Sequence, residues 1–548
     1  AAQIGTGLAI DSLLLKKINI SLEIKEANLW KNRHQIDSIG LLMTDFRIDS
    51  NTHVGAPERF LFAEQLQIAA RKYSFRTAQK AFLIENEYLH WDSRDSSLRA
   101  EGLHLRNGEE LTLKAPRMQI VHISLRDYLS EQDLQVAEMI FEKPSLRYFR
   151  DKTRIPIDAK PRRNTFEEDS ISLWQKQLQA LIPLAARSIH LHRLSLQEGS
   201  FQYAQRGYKG LLRQSLEYVN VEVMDAHLDS SSLQTPKALF IAERAHLDFR
   251  NYTLVQPDSM YQLRIAAGSI DTKNRQATLS AIHYRPLLSE EQVIRLKPTY
   301  KSRLNAHAER VQLQQIDFAM LLKRNRLVIQ KVQIEKVLLS VADDDRIAGN
   351  PKSERAMPND LFRDLPFYLR VDTVAVEDSR IIYKENILGG RGEGEITFED
   401  FEARAYELSN DSLIPYSNLL AKARFMNEGL LLLKLRIPLM KEDFQMDFEG
   451  SLGAMDAILI NRMIESNAHV NLKRGQVKRI SFEGNLSNYV AQGKMLAVYK
   501  GFKVRVLKRD SYKKRSLISF FANLLLNQTN KRKQGNIEYY RLGTDGFM

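Results

Sequence analysis

The stretch from residue 189 to 203, IHLHRLSLQEGSFQY, decides the fold. Apolar side chains alternate with polar ones, skip one position, alternate again, and resume after a polar segment around Gly199. The apolar positions are Ile189, Leu191, Leu194, Leu196, Phe201 and Tyr203. Period-two alternation places side chains on one face of a β-strand. The spacing predicts a strand pair with a turn at Gly199, and a bulge or register shift at the skipped position that keeps the apolar face in one direction.

The same irregular spacing occurs three more times, and we call each occurrence a template copy. The other copies are Leu134, Val136, Met139, Phe141, Leu146 and Tyr148; Leu327, Ile329, Val332, Ile334, Leu339 and Val341; and Leu369, Val371, Val374, Val376, Ile381 and Tyr383. Pro144, Val337 and Ser379 take the place of Gly199. Chance rarely repeats an irregular pattern so closely. The chain is therefore predicted to be a mainly β, mostly antiparallel repeat protein.

Composition excludes several classes of protein. Of 548 residues, 43% are hydrophobic and 27% charged, which is typical of neither collagen-like nor disordered chains. There is no Cys, which excludes disulfides, thiolate metal sites and a Cys nucleophile. No apolar run reaches the ~18 residues of a membrane-spanning helix. The sequence begins with Ala1 rather than Met and does not decide whether a signal peptide or an N-terminal anchor precedes it.

Polar, proline-containing linkers divide the chain. One covers residues 151–170 and leads into a predicted helix at 171–182, and a second covers 343–364. Each precedes a template copy. We therefore divide the chain into an N-terminal β-repeat segment (1–160), a central helix and β-repeat segment (161–342), a third β-repeat segment (343–450) and a C-terminal segment (451–548).

The alternation in many strands is one-sided, so one face of the sheet must be covered. In one interpretation the sheet folds on itself and the apolar stripe is the core of a sandwich or barrel. In the other, an elongated antiparallel β-repeat sheet curls into a hydrophobic groove that holds acyl chains, with only a few short amphipathic helices. The stripe residues, which serve in either interpretation, are Leu191, Leu194, Leu196, Phe201, Val371, Val374, Val376 and Ile381.

The C-terminal fifth carries a further pattern. A helix is predicted over residues 451–468, with apolar positions at Leu452, Met455, Ile458, Leu459 and Ile464. A strand, a turn at Gly475, a second strand, the pair Gly484-Asn485 and a strand containing Gly493, Met495 and Tyr499 follow. This order resembles the C-terminal end of AsmA-like envelope proteins, including the DUF748-type members. The resemblance is strongest over residues 365–510.

The resemblance implies a repeating β-groove architecture, related in shape to TamB. It implies a non-enzymatic protein of the Gram-negative periplasm, anchored in the inner membrane, that acts in phospholipid transport or outer-membrane homeostasis. The chain departs from the family pattern because it lacks the N-terminal transmembrane helix and is shorter than full-span members. A partial conduit or an accessory subunit is therefore expected. The alternative is a structural or assembly subunit of an envelope or secretion complex.

A basic tail follows the last predicted strand. Residues 500–533 contain eleven Lys or Arg against the single acid Asp510, out of a net charge of +13. Within it, residues 516–526 form a candidate amphipathic helix that would dock on a membrane surface, plug the groove, or bind a partner protein. The docking candidates are Lys513, Lys514, Arg515, Phe520, Phe521, Leu524 and Leu525. Nucleic acid is not an expected partner, because no recognition module or basic and aromatic interleaving is present.

Enzyme signatures are missing from the sequence. It contains no P-loop, no dinucleotide-binding glycine pattern, no G-x-S-x-G and no H-E-x-x-H. His190 and His192 share a strand face, but no third metal ligand lies nearby in the sequence. We expect no enzymatic activity, no cofactor and no metal.

Overall fold

The computed structural model describes residues 8–26, 29–48, 63–77, 82–108, 110–124, 133–153, 188–208, 210–229, 241–296, 302–344, 346, 357–365, 367–387, 389–441, 443–467, 470–506 and 533–540. Of the described residues, 78% are in strands and 7% in helices, which confirms the predicted mainly β class with a few short helices. The predicted helices at 171–182 and 516–526 lie outside the described residues, as do the seven docking candidates of the basic tail.

The strands are β1 (Leu8–Glu26), β2 (Leu29–Ile48), β3 (Gln65–Thr77), β4 (Phe82–Asp92), β5 (Ser97–Asn107), β6 (Leu111–Ile123), β7 (Asp133–Glu142), β8 (Ser145–Asp151), β9 (Ser188–Gly207), β10 (Gly210–Asp229), β11 (Ile241–Val255), β12 (Tyr261–Asp271), β13 (Gln276–Pro286), β14 (Ser302–Ile316), β15 (Arg326–Glu335), β16 (Leu338–Asp344), β17 (Tyr368–Asn386), β18 (Gly394–Ser409), β19 (Ser417–Phe425), β20 (Gly429–Ile437), β21 (Gln445–Leu452), β22 (Met455–Asp456), β23 (Val470–Ser487), β24 (Val490–Val506) and β25 (Lys533–Tyr540). The helices are α1 (Glu290–Leu296), α2 (Phe318–Arg324), α3 (Pro358–Arg363) and α4 (Asn461–Asn467), the last preceded by a 3₁₀ turn at Ala457–Ile460.

Two compact units divide the chain. The first comprises Ala1–Asp258 and Ala267–Asn274, and the second comprises Ser259–Ala266 and Arg275–Met548. Within each unit, most neighbouring strands pair in an antiparallel sense. The four segments proposed from the sequence stay a prediction.

Each template copy is one strand, continuous or interrupted, rather than a hairpin of two strands. β9 runs through Gly199 without reversing, and β6 pairs with both β7 and β8, so those two are one interrupted strand. The turn predicted at Gly199 is therefore wrong. At that place each copy has a residue with left-handed backbone instead: φ is 50° at Lys143 and Glu198, 52° at Lys336 and 50° at Asp378. Such a residue kinks a strand without ending it.

The skipped position in each copy also lies beside a residue with left-handed backbone. Each copy keeps an unbroken register with its antiparallel neighbour there, so the bulge predicted within the copy is absent. The irregularity lies on the neighbouring strand, opposite the skipped position. The residues there have φ between 51° and 59° and are His122, Asp225, Gln315 and Glu407.

Neighbouring copies pair in parallel, position for position. Met139 stands beside Leu194 in the first unit, and Val332 stands beside Val374 in the second. The same backbone hydrogen bond marks both junctions: Lys143 N–H donates to Gln197, and Lys336 N–H donates to Glu377. The sheet is therefore mixed. Parallel neighbours require a crossover of a dozen or more residues, which the linkers after β8 and β16 supply.

The C-terminal region differs from its prediction in detail. Leu452 ends β21 and Met455 begins β22, so helical structure covers only residues 457–467 of the predicted 451–468. The 3₁₀ turn begins there because the Asp456 carboxylate accepts the Ile458 N–H. Gly475 and Gly484 both lie inside β23, where turns were expected.

The parallel register predicts a specific crosslink. Because the chain has no Cys, the variant Val332→Cys/Val374→Cys contains one cysteine pair, on adjacent strands about 4.8 Å apart. We expect a disulfide on mild oxidation, detected by mass spectrometry of proteolytic fragments. The control Val332→Cys/Val376→Cys is displaced by two residues and exceeds the roughly 7 Å limit for bridging. Equal crosslinking of both variants would contradict the register.

Candidate functional site

Apolar side chains line up across the strands of each unit. Residues directly opposite each other on neighbouring strands share a face, so the pairing register defines cross-strand rows. We call the following sets the apolar rows. In the first unit they are Ile18, Ile39, Ala70, Leu89, Ala100, Met118, Phe141, Leu196, Val221 and Leu247, and Leu15, Leu41, Ile68, Trp91, Leu98, Ile120, Met139, Leu194, Val223 and Ala245.

The second unit has two rows of the same kind. They are Leu279, Val311, Ile334, Val376, Ala403, Ala421, Leu433, Gly450, Phe482 and Met495, and Ala277, Leu313, Val332, Val374, Ala405, Leu419, Leu435, Phe448, Gly484 and Gly493. Every member is apolar or glycine. The rows cross the parallel junctions without interruption because the template copies pair in register.

All eight stripe residues predicted from the sequence stand in apolar cross-strand pairs. Leu194, Leu196, Val374 and Val376 belong to the rows. The other four pair as follows: Leu191 with Val136 and Ala226, Phe201 with Leu146 and Leu216, Val371 with Ile329 and Leu408, and Ile381 with Leu339 and Phe398. The pairing register thus joins each of these residues to apolar neighbours on both adjacent strands.

These side chains are half-buried rather than enclosed. Val371 is 6% exposed, whereas the other seven keep part of their surface open in the described structure. A close-packed interior elsewhere in the second unit leaves Leu472 1% and Ile464 2% exposed. A sandwich core would enclose the stripe to the same degree. The burial therefore favours an apolar face that is partly open over the closed core of a sandwich or barrel.

The rows of the second unit are closed off at their two flanks. Towards one end of the strands, Ile460 and Ile464 pack on a cluster that includes Leu452, Ile480 and Ala497. Towards the other end, Met357 and helix α3 pack over a second cluster, formed with Ile437, Leu439, Phe444 and Met446. Between these clusters, Leu433, Leu435 and Phe448 remain half-buried. The open part of the apolar face is thus a bounded strip.

Glycines let the aromatic rings lie flat on the strip. A Cβ on Gly450 would stand 2.3 Å from the Phe482 ring, and one on Gly484 would stand 2.7 Å from the Phe448 ring. The two ring centroids are 6.3 Å apart. Gly493 faces Gly484 so closely that a Cβ on Gly493 would meet the Glu483 carbonyl at 2.3 Å. These close contacts therefore explain why the C-terminal sequence pattern has glycine at positions 484 and 493.

The opposite face of the same strands is charged. Lys422 and Glu402 form an ion pair at 2.9 Å, and Lys434 stands between Leu420 and Glu449 in the pairing register. A cavity of about 1000 Å³ is lined by residues 402–404, 420–422, 432–434 and their neighbours. Most of these side chains project away from the apolar rows, so we place the cavity on the charged face. Its charges make it unsuitable for an acyl chain.

Sequence reasoning missed the row members on β18 to β21. In β20, GLLLLKLRI, Leu431 and Leu433 belong to the apolar face, but Leu430 and Leu432 on the opposite face are also apolar and hide the alternation. Small residues such as Ala403 and Gly450 carry little hydrophobic signal. Pairing with Val376 and Phe482 is what makes them part of the strip.

The histidines of the described residues do not gather into a larger metal-binding cluster. No three His, Asp or Glu side chains of the described residues approach closely enough to share a metal ion. His190 and His192, paired in the sequence, have different partners: His227 at 3.1 Å and Asp225 at 3.1 Å. Within the described ranges, no helix has the length and hydropathy needed to cross a membrane.

Comparisons with known proteins identify no family. No protein-family model matches the chain. A search of curated proteins likewise found no match. The AsmA-like resemblance therefore stays an inference from the sequence pattern.

The contact between Gly450 and Phe482 predicts a stability effect. Gly450→Ala places a methyl group against the ring and 2.9 Å from the Leu432 carbonyl, and we expect it to lower the free energy of unfolding by about 1–3 kcal/mol. Urea unfolding measures the effect. Adding Phe482→Leu should restore part of the loss, and Ser451→Ala, on the opposite face, is the control. Wild-type stability in Gly450→Ala would show that the ring does not lie over the glycine.

Proposed function

We propose that the apolar rows shelter the acyl chains of a phospholipid or other acyl lipid, and that the protein is a non-enzymatic lipid-binding component of the Gram-negative envelope. The observation that carries the proposal is the pair of unbroken apolar rows in each unit, in which large side chains such as Leu194, Val374 and Leu433 are half-buried. A half-buried row retains apolar surface that a ligand can cover, whereas a closed core has none.

The energetics support binding of acyl chains. Each methylene removed from water contributes about 0.8 kcal/mol, so a sixteen-carbon chain gains on the order of 10 kcal/mol by covering such a surface. Leu194 and Leu196 lie beside Met139 and Phe141, so a chain lying across the strands meets apolar atoms at every step. Movement from strand to strand exchanges similar contacts and requires no catalytic group.

The envelope setting rests on a separate line of support. The resemblance over residues 365–510 to AsmA-like proteins suggests phospholipid transport or outer-membrane homeostasis in the periplasm, with anchorage in the inner membrane. Membrane contact through the basic tail belongs to the same proposal. The apolar strip supports the binding of lipid, and the resemblance supports the location in the envelope.

A pair of adjacent leucines tests the proposal. Leu433 belongs to an apolar row, whereas Leu432 lies on the opposite face and is 46% exposed. Lipid extracted from protein purified in mild detergent is identified by mass spectrometry, and a fluorescent fatty acid measures affinity by displacement. We expect bound phospholipid in the wild type, at least a tenfold loss of affinity in Leu433→Asp, and wild-type binding in Leu432→Asp.

Two results would contradict acyl-chain binding. One is wild-type protein with no more lipid than a control membrane protein purified in parallel. The other is equal loss in Leu433→Asp and Leu432→Asp while circular dichroism shows both to be folded. Far-UV spectra of all three proteins therefore accompany the lipid measurements.

One observation favours the alternative, a structural or assembly subunit. Leu420, Leu430 and Leu432 are 45%, 52% and 46% exposed on the charged face. Exposed apolar patches rimmed by polar residues mark protein interaction sites. If the sheet is a scaffold, a stoichiometric protein partner should be lost in Leu432→Asp and kept in Leu433→Asp, the reverse of the lipid result.

A further inference from the structure

Two cross-strand histidine pairs stand on the sheet. His190 of β9 faces His227 of β10 in the first unit, and their ring centroids are 4.0 Å apart. His283 of β13 faces His307 of β14 in the second unit, with centroids 4.2 Å apart. His190 and His283 both adjoin residues of the apolar face in sequence, so each pair lies on the polar face of its own unit. Neither pair has a role in binding acyl chains.

The first pair has the spacing of two ligands of one metal ion. The Nδ1 atoms of His190 and His227 are hydrogen-bonded at 3.1 Å, so one of them carries the proton that a metal ion would replace. Zinc–imidazole bonds are about 2.0–2.1 Å long, so two nitrogens at angles of roughly 90–110° around the ion stand about 2.9–3.4 Å apart. The observed separation falls in that range. Both side chains are half-buried, which leaves the polar face open to an ion.

The charges around the two pairs differ in sign. At the first pair, the pKa of Asp133 is held below its ordinary value by a hydrogen bond from the Ser188 hydroxyl, with smaller effects of His190 and His227. Asp225, which contacts His192 at 3.1 Å, adds a second carboxylate close by. These anions favour a bound cation.

Cations surround the second pair instead. Burial lowers the pKa of His283, and the neighbouring His307, Arg264 and Arg285 lower it further. Two guanidinium groups that disfavour a proton on His283 equally disfavour a divalent ion. The second pair is thus a natural control for the first, because it has the same residues and a similar ring separation.

We propose that His190 and His227 bind a divalent transition-metal ion such as Zn²⁺ or Cu²⁺, which clamps β9 to β10. The two Nδ1 atoms are the protein ligands. Water completes the coordination, since no third His, Asp or Glu of the described residues is close enough to share the ion. The site is independent of the proposed lipid-binding role.

Titration of the metal-free protein with ZnCl₂ tests the site. Full-length protein treated with EDTA and desalted is titrated calorimetrically at pH 7.5, and thermal unfolding is followed with and without Zn²⁺. We expect one Zn²⁺ per chain and a higher melting temperature. His227→Gln should weaken binding at least tenfold and abolish the thermal shift, and His190→Gln should do the same.

The matched control is His307→Gln, which should leave Zn²⁺ binding unchanged. With Cu²⁺, electron paramagnetic resonance should show coupling to two nitrogens in the wild type and to one in His227→Gln. Wild-type binding in His227→Gln, a loss in His307→Gln instead, or no Zn²⁺ binding at pH 7.5 would each overturn the proposal. Circular dichroism of the variants separates loss of the ligand from loss of the fold.

Discussion

The parallel register between neighbouring template copies is the constraint on which the rest of the structure depends. Val374 must stand beside Val332, and Leu194 beside Met139, for the apolar rows to continue across each junction. A slip of one residue would turn every side chain of a copy to the other face of the sheet. The rows would then end at the junction, and charged side chains would interrupt the apolar face. The repeated irregular spacing in the sequence gives each copy apolar side chains at the positions that this register brings together.

Residues with a left-handed backbone conformation at equivalent places keep neighbouring template copies in register. Lys143, Glu198, Lys336 and Asp378 all have φ near +50°, although such a backbone is unfavourable for non-glycine residues. One kinked strand among straight neighbours would lose hydrogen bonds along its length. When adjacent copies bend at the same place, the ladder between them is kept, as the equivalent bonds of Lys143 and Lys336 show. The distortion is therefore a shared property of neighbouring strands.

The two faces of the sheet have different chemistry and different proposed ligands. The apolar rows of the second unit are closed at their flanks by helix α4 and its 3₁₀ turn on one side and by helix α3 on the other, which leaves a bounded half-buried strip. The polar face of the second unit has ion pairs such as Lys422 with Glu402 and a charged cavity, and the polar face of the first unit has the pair His190 and His227. Acyl chains suit the first face. The second offers imidazole ligands at His190 and His227, and exposed leucines for a protein partner.

The sequence by itself determined the strand-forming class, the template spacing and the identity of the stripe, because side-chain alternation is a local property of an extended backbone. It left open whether Gly199 turns the chain, because a polar segment with glycine suits a hairpin and a kinked strand equally well. Only the tertiary structure decided that neighbouring copies pair in parallel, since that pairing joins residues more than forty positions apart through linkers that carry no pairing signal. It also decided that Ala403, Gly450 and Gly484 belong to the apolar strip. A residue without a large side chain acquires its role from what packs over it, and for Gly450 that is the ring of Phe482.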